Sequence, residues 1–471
     1  MERIVLAYSG GLDTSVAVPW LAETYGAEVI TVTLDLGQGR ELIDIRERAL
    51  AVGALRAHVL DVREEFVRDY ILPALQAGAV YEERYPLATA LGRPLIAKKL
   101  VDIARMEGAT AIAHGCTGKD NDQVGLDVSA RALDPSIRLI TPARTWGMSR
   151  SDEVAYAKAR NIPVAAEVDN AYSTDSNLWG RSIECGVLED PWQEPPDDIY
   201  TLTRSPQDCP NEPAYIDIEF ERGVPVRVNG IDMPLLELIE SLETIAGAHG
   251  VGRIDMMENR LVGIKSREIY EAPAAVVLHA AHKELQRLVV PRDLDRLTQE
   301  MGRVYADAVY NGLWFSPTRD AIDAFVAAIQ PRVTGTVRLK LFKGDYRVVG
   351  RKSPFALYDR GLATYESGDL FVPRSPGVKP APGLADPRDE FPLDIRVHVL
   401  VAGAVADARV EKVAQAAIDC RSIGRRQHTG ARQRHRPRHA ATYVVFEQPS
   451  IEAERGAERK EVGVGIAFEA P

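Results

Sequence analysis

Cysteine is scarce in this chain: four residues, Cys116, Cys185, Cys209 and Cys420, among 471. No two stand at C-x-x-C spacing, which argues against a disulfide framework and against a thiolate zinc site. No run of 18 apolar residues occurs, so no membrane-spanning helix is expected. The opening MERIVLAYSGG carries charge at once and reaches glycine by residue 10, unlike the apolar core of a secretory signal. Basic charge is in deficit: 57 Lys and Arg face 68 Asp and Glu, a formal net charge of −11. That balance argues against a nucleic-acid-coating surface, although it leaves room for a local phosphate pocket. What is present is ordinary for globular proteins, 45% hydrophobic and 27% charged residues. The expectation is a reduced, cytoplasmic protein without membrane or nucleic-acid partners. At about 150 residues per domain it should contain roughly three units.

The first 165 residues alternate β-branched apolar runs with helical patterns. Residues 3–9, 28–36, 56–62, 109–115 and 138–143 read as strands, nearly continuous in apolar character, as where both sheet faces are buried. Helical spacing fills Asp13–Tyr25, Arg40–Val52, Glu64–Leu75 and Arg93–Glu107. This rhythm predicts an α/β fold with a parallel, doubly wound sheet over residues 1–165. Ligands of such sheets sit beyond the carboxyl ends of the strands, here YSGGLDTS, LDLGQG and HGCTGKDNDQ. Residues 166–369 read as an α+β domain with strand pairs at 215–230 and 334–353 and helices between them. Its segments 170–184 and 251–271 read as cleft-facing loops. Trp179 and Trp192 read as core anchors. Residues 370–471 form an atypical tail, expected to be partly disordered. It has six prolines between 373 and 392 and seven arginines, without an acid, between 421 and 440.

The strongest chemical signal is Ser9-Gly10-Gly11-Leu12-Asp13-Thr14-Ser15, between the first strand and first helix. Paired glycines let backbone N–H groups converge on an anion, and the helix N-terminus adds its positive end. Ser9, Thr14 and Ser15 supply hydroxyl donors. No Gly-Lys-Ser/Thr follows, so this is not the Walker loop.

AYSGGLDTS resembles the pyrophosphate loop of ATP pyrophosphatases. LDLGQ, YPLATALGRPLIAK, HGCTGKDNDQV, YSTDSNLWGRSIE and GIKSREIYEAP narrow the resemblance to the argininosuccinate synthase family, over residues 3 to about 369. The resemblance implies a nucleotide-binding first domain and a synthetase, substrate-binding second domain. It implies ligation of citrulline and aspartate through citrullyl-AMP, with ATP cleaved to AMP and pyrophosphate and Mg²⁺ accompanying the nucleotide. Carried over position by position, Ala7, Tyr8, Ser9, Gly10, Gly11, Leu12, Asp13, Thr14, Ser15, Leu34 and Gly115 would hold ATP. Tyr85, Asn121, Ser173, Ser182, Glu258 and Tyr270 would contact citrulline, and Thr117, Asn121 and Asp122 aspartate. Asp13, Ser15 and Asp122 would carry the catalytic roles. No side-chain metal site is implied.

The chain departs from the family pattern at three places. Gly125 stands where an arginine would meet citrulline's carboxylate, and Arg131, about 240° further round a helix, is no obvious substitute. Ala90 replaces a hydroxyl. The family's oligomerising C-terminal arm, which would clasp a homotetramer, is unrecognisable in the tail. A related ATP pyrophosphatase adenylating another acceptor, or a degenerate nucleotide-binding paralogue, are the alternative readings.

Overall fold

The computed structural model describes residues 1–39, 42–116, 121–162 and 172–364, all within one compact unit. Thr117, Lys119, Asp120 and the tail from residue 365 lie outside the described residues.

The first half contains β1 (Arg3–Ala7), α1 (Leu12–Tyr25), β2 (Glu28–Asp35), α2 (Leu42–Ala51) and β3 (Arg56–Asp61). After these come α3 (Arg63–Phe66), α4 (Leu72–Ala77), α5 (Ala88–Glu107), β4 (Ala111–Ala113), α6 (Asn121–Leu133), β5 (Arg138–Ile140), α7 (Pro142–Thr145) and α8 (Arg150–Ala159). The strands form a parallel sheet in the order β3-β2-β1-β4-β5. Alternate residues of β1 explain its unbroken apolar run. Val5 packs into the large core on one face, while Ile4 and Leu6 pack with Ala17, Leu21 and Val29 on the other. The chain leaves β1 in both directions across the sheet, so the crevice at its carboxyl end is a topological switch point.

Two helices differ from expectation. The helix expected over Glu64–Leu75 is interrupted by a π turn at Val67–Ile71, where the Leu72 N–H reaches Val67 O. Pro73, lacking an N–H, follows in the first turn of α4, where no donor is needed. The helix expected from Arg93 starts five residues earlier, at Ala88, so Pro94 lies inside it. Tyr85 makes the early start workable, because its phenol oxygen accepts the Thr89 N–H at 3.0 Å.

The second half adds β6 (Ser173–Asn177), β7 (Gly180–Glu184), β8 (Ala214–Glu221), β9 (Val224–Val228), β10 (Ile231–Asp232), α9 (Leu235–Ala248), β11 (Arg253–Asn259) and β12 (Lys265–Glu271). It ends with α10 (Pro273–Val289), α11 (Arg292–Tyr310), α12 (Pro317–Ile329), β13 (Gly335–Phe342), β14 (Asp345–Lys352) and α13 (Arg360–Ala363). One antiparallel sheet runs β10-β9-β8-β13-β14 and a second runs β11-β12-β7-β6. The second sheet overturns the loop reading of 170–184 and 251–271. Its inward positions carry Glu258 and Glu268, both buried, so hydrophobic alternation was masked by buried carboxylates. Trp179 is buried, its indole N–H donating to Pro86 O at 2.9 Å. Trp192 is 95% exposed and is no core anchor. It follows Pro191 in a polar turn, where its N–H is taken by Asp190 rather than by a packed element.

Candidate active site

The glycine loop is built by the sheet. Beyond the end of β1, the Tyr8 N–H donates to Val32 O at 2.9 Å and Tyr8 O accepts from Thr33 Oγ1 at 2.8 Å, which locks the strand exit. The buried Tyr8 hydroxyl pairs with Ser15 Oγ at 2.9 Å, and burial pushes the phenol's pKa up. Gly10 then takes φ +78°, a left-handed conformation that favours glycine. Its carbonyl accepts from Arg48 Nη1 at 2.6 Å. Helix α1 begins with no side-chain cap at Gly11, leaving its first amides without a side-chain acceptor at the N-terminus. A Cβ on Gly115, just past β4, would stand 3.2 Å from Thr14 Cγ2, so the β4 exit closes over the same loop. Leu34, one residue before the end of β2, flanks it.

Asp13 faces Arg150 Nη1 at 2.5 Å, and Glu153 lies within 3.6 Å of the same guanidinium. Burial first, and Asp13 second, push the Glu153 carboxyl up to about 8.

A second cluster gathers residues far apart in sequence. Tyr85, Asn121, Asp122, Ser182, Glu258 and Tyr270 line one cavity of about 40 Å³. Strand register explains part of this. Tyr270 pairs with Ser182 across β12 and β7, and Glu258 with Ser266 across β11 and β12. The period of two therefore sets all three side chains on one face. Tyr85 stacks on Tyr270 with centroids 4.1 Å apart, and Tyr81 stacks on Tyr310 at 3.7 Å. Glu258 accepts from Tyr270 at 2.5 Å and from the Tyr310 hydroxyl. Burial raises its pKa, against the lowering effect of the two phenols. Asn121 Nδ2 donates to Tyr310 O at 2.5 Å, while its Oδ1 is buried without a partner among the described residues.

Two stretches of the chain match family models described as "Arginosuccinate synthase N-terminal HUP domain", over residues 3–163, and "Arginosuccinate synthase C-terminal domain", over residues 172–377. An argininosuccinate synthase of Dehalococcoides mccartyi is 58% identical over 374 residues, 79% of this chain and 92% of that protein. The namesakes from Dictyoglomus thermophilum and Streptococcus suis are 55% and 54% identical, over 79% of this chain and 94% and 93% of theirs. The chain belongs to the argininosuccinate synthase family. It is accordingly an enzyme of the ligase class.

Of the positions the synthase resemblance picks out, Ala7 to Ser15, Leu34 and Gly115 all fall at the carboxyl edge of β1, β2 and β4. Ser173 is exposed on β6 and does not line the cavity, although its pairing with Glu184 sets it on the cavity face of the sheet. Thr117 is outside the described residues. Sequence reasoning missed the charges that hold the cluster. Arg93 reaches Asp122 at 2.5 Å and also Asp175. Burial opposes its charge, but these two carboxylates hold its pKa well above the ordinary arginine value. Arg260 bridges Glu184 at 2.7 Å and Glu268 at 2.5 Å. The usable signal was charge placed within otherwise apolar elements, such as Arg93 in α5 and Glu184 and Glu268 in β7 and β12, where a buried charge is tolerated when paired. Gly125 is buried against Arg93, since a Cβ there would lie 3.0 Å from Arg93 Cβ. The position lacking the synthase arginine thus backs onto an arginine supplied by α5. Ala90 lines the cavity.

Proposed function

We propose that this chain joins citrulline to aspartate at the expense of ATP, giving argininosuccinate, AMP and pyrophosphate. The observation that carries the proposal is the convergence of Tyr85, Tyr270, Glu258, Asn121 and Asp122 on one cavity. Asn121 stands six residues beyond Gly115, which touches the glycine loop. A nucleotide loop and an acceptor cavity so close in sequence suit an activation in which the acceptor oxygen is adenylated before the second substrate attacks.

In this reading the amides of the glycine loop and the α1 N-terminus receive the pyrophosphate as it leaves, where its negative charge grows. The ureido oxygen of citrulline attacks the α-phosphorus, and pyrophosphate departs. The amino group of aspartate then attacks the ureido carbon, and AMP departs. Glu258 faces citrulline's ammonium, and Asn121, with its unpartnered Oδ1, accepts from a substrate N–H. Arg93 fixes Asp122 for aspartate. Mg²⁺ belongs to this reading as part of the nucleotide substrate, sharing the charge of the pyrophosphate. We place the division between nucleotide and substrate domains near residue 165. A cytoplasmic setting belongs to this reading, in keeping with a chain that has only four cysteines and none at C-x-x-C spacing. The family's homotetramer would have to form here without the C-terminal clasp, which this tail does not supply, and sedimentation of the full chain tests its assembly.

The decisive assay follows ATP labelled at the α- and γ-positions. Labelled AMP and pyrophosphate should appear only when citrulline is added, and argininosuccinate only when aspartate is added as well. Initial formation of ADP and orthophosphate overturns the proposal.

A further inference from the structure

The carboxylate of Glu258 is almost fully enclosed, and its two oxygens are each taken by a phenol. Tyr270 comes from the neighbouring strand, whereas Tyr310 is the last residue of α11, 52 positions away in sequence. Tyr310 is held at both its ring and its backbone. It stacks on Tyr81 with an interplanar angle of 3°, and its carbonyl accepts from Asn121. The residue therefore spans the sheet that presents Glu258 and the helix start that presents Asn121.

We propose that Tyr310 is a positioning residue for acceptor binding: its hydroxyl fixes the Glu258 carboxylate in place and keeps it charged to receive the acceptor's ammonium. This rests on the reading that Glu258 faces that ammonium. Burial alone pushes a bare carboxylate at this depth toward its neutral form, and Arg260 offers it a competing partner. The charged and titratable groups around it are Tyr81, Glu82 and Tyr85 before α5, Asp122 on α6, Glu184 on β7, Arg260 just past its own strand, Glu268 and Tyr270 on β12, and Tyr310 itself. Glu82 and Glu268 repel the charge; Arg260 and the two phenols favour it. Among the described residues only the phenols touch it by hydrogen bonds, so removing one weakens the charged form directly.

Tyr310→Phe deletes the hydroxyl and keeps the ring stack and the carbonyl. The citrulline KM should rise about tenfold, the loss of one hydrogen bond to a charged group, with kcat changed less than about threefold and the ATP KM unchanged. The acidic limb of kcat/KM for citrulline should move to higher pH, because losing a donor raises the Glu258 pKa. In a Glu258→Gln background that limb should vanish, and Tyr310→Phe should add nothing further. A Tyr310→Phe enzyme with wild-type KM and an unmoved limb overturns the proposal. So does one in which only thermal stability and kcat fall, the mark of a structural role. Should Tyr310→Phe fail to fold, a limb that persists in Glu258→Gln alone refutes the assignment. Failure of the underlying ligase reading is visible separately, as a wild-type enzyme whose pyrophosphate release ignores citrulline.

Discussion

Glu271 ends β12, next to Tyr270, and is fully buried. Its Oε1 accepts from Leu202 N and Thr203 N at 2.9 Å and from Thr203 Oγ1 at 2.7 Å. Its Oε2 accepts from Thr201 N and Arg181 Nη1 at 3.0 Å. Replacing it by glutamine keeps the volume but turns one acceptor into a donor. In the better orientation the amide oxygen keeps the three partners at 202–203, and the NH₂ then faces the Thr201 N–H and the Arg181 guanidinium. Two hydrogen bonds to a charged group are lost, at about 1.5–3 kcal/mol each, and a largely buried arginine loses its counter-charge. We expect Glu271→Gln to cost about 3–5 kcal/mol, a large part of the roughly 5–15 kcal/mol that holds a folded domain together. Urea unfolding followed by circular dichroism should show a lower midpoint with unchanged slope. The exposed Glu237→Gln should change stability by less than about 0.5 kcal/mol. A cost below about 1 kcal/mol for Glu271→Gln would refute the argument that this carboxylate pins the 201–203 turn to the substrate sheet.

Three further outcomes follow from the geometry. Asp13→Ala breaks a half-exposed pair with Arg150 and relieves Glu153 of a like-charged neighbour, so stability should change by less than about 1 kcal/mol while turnover with ATP falls at least about tenfold. Normal turnover would remove Asp13 from the site. Glu153, its carboxyl pushed up to about 8, binds an extra proton in the folded chain between about pH 5 and 8, so folding stability should decline as pH rises through that window. Glu153→Gln abolishes this slope, and the melting-temperature gain over the parent should be larger at pH 8 than at pH 5; a gain independent of pH contradicts it. Gly125→Ala crowds Arg93 Cβ and should cost about 1–3 kcal/mol, measured by urea titration, whereas a neutral result would mean that Arg93 gives way freely.

Much of the first domain was legible because its rules are local. A continuous apolar run such as Ile4-Val5-Leu6 announces a strand buried on both faces, and Ser9-Gly10-Gly11 announces a strand-to-helix turn open to an anion. Those patterns need no knowledge of distant residues. The early part of α5 was not legible, since Pro94 looks like a helix start until Tyr85 is seen accepting the Thr89 N–H. The sheet carrying Ser182, Glu258 and Tyr270 was hidden for a related reason. Its inward face is lined with charge, and a propensity reading takes charge for solvent.

By itself, then, the sequence determined the parallel sheet, the glycine loop at its switch point and the family to which the chain belongs. Tertiary structure alone decided which charges pair. Arg93 with Asp122 and Asp175, Arg260 with Glu184 and Glu268, and Tyr310 with Glu258 are contacts between residues 8 to 82 positions apart. Ionic partners are chosen by burial and distance in space, because a charge withdrawn from water must find its counterpart wherever the fold brings one within about 3 Å.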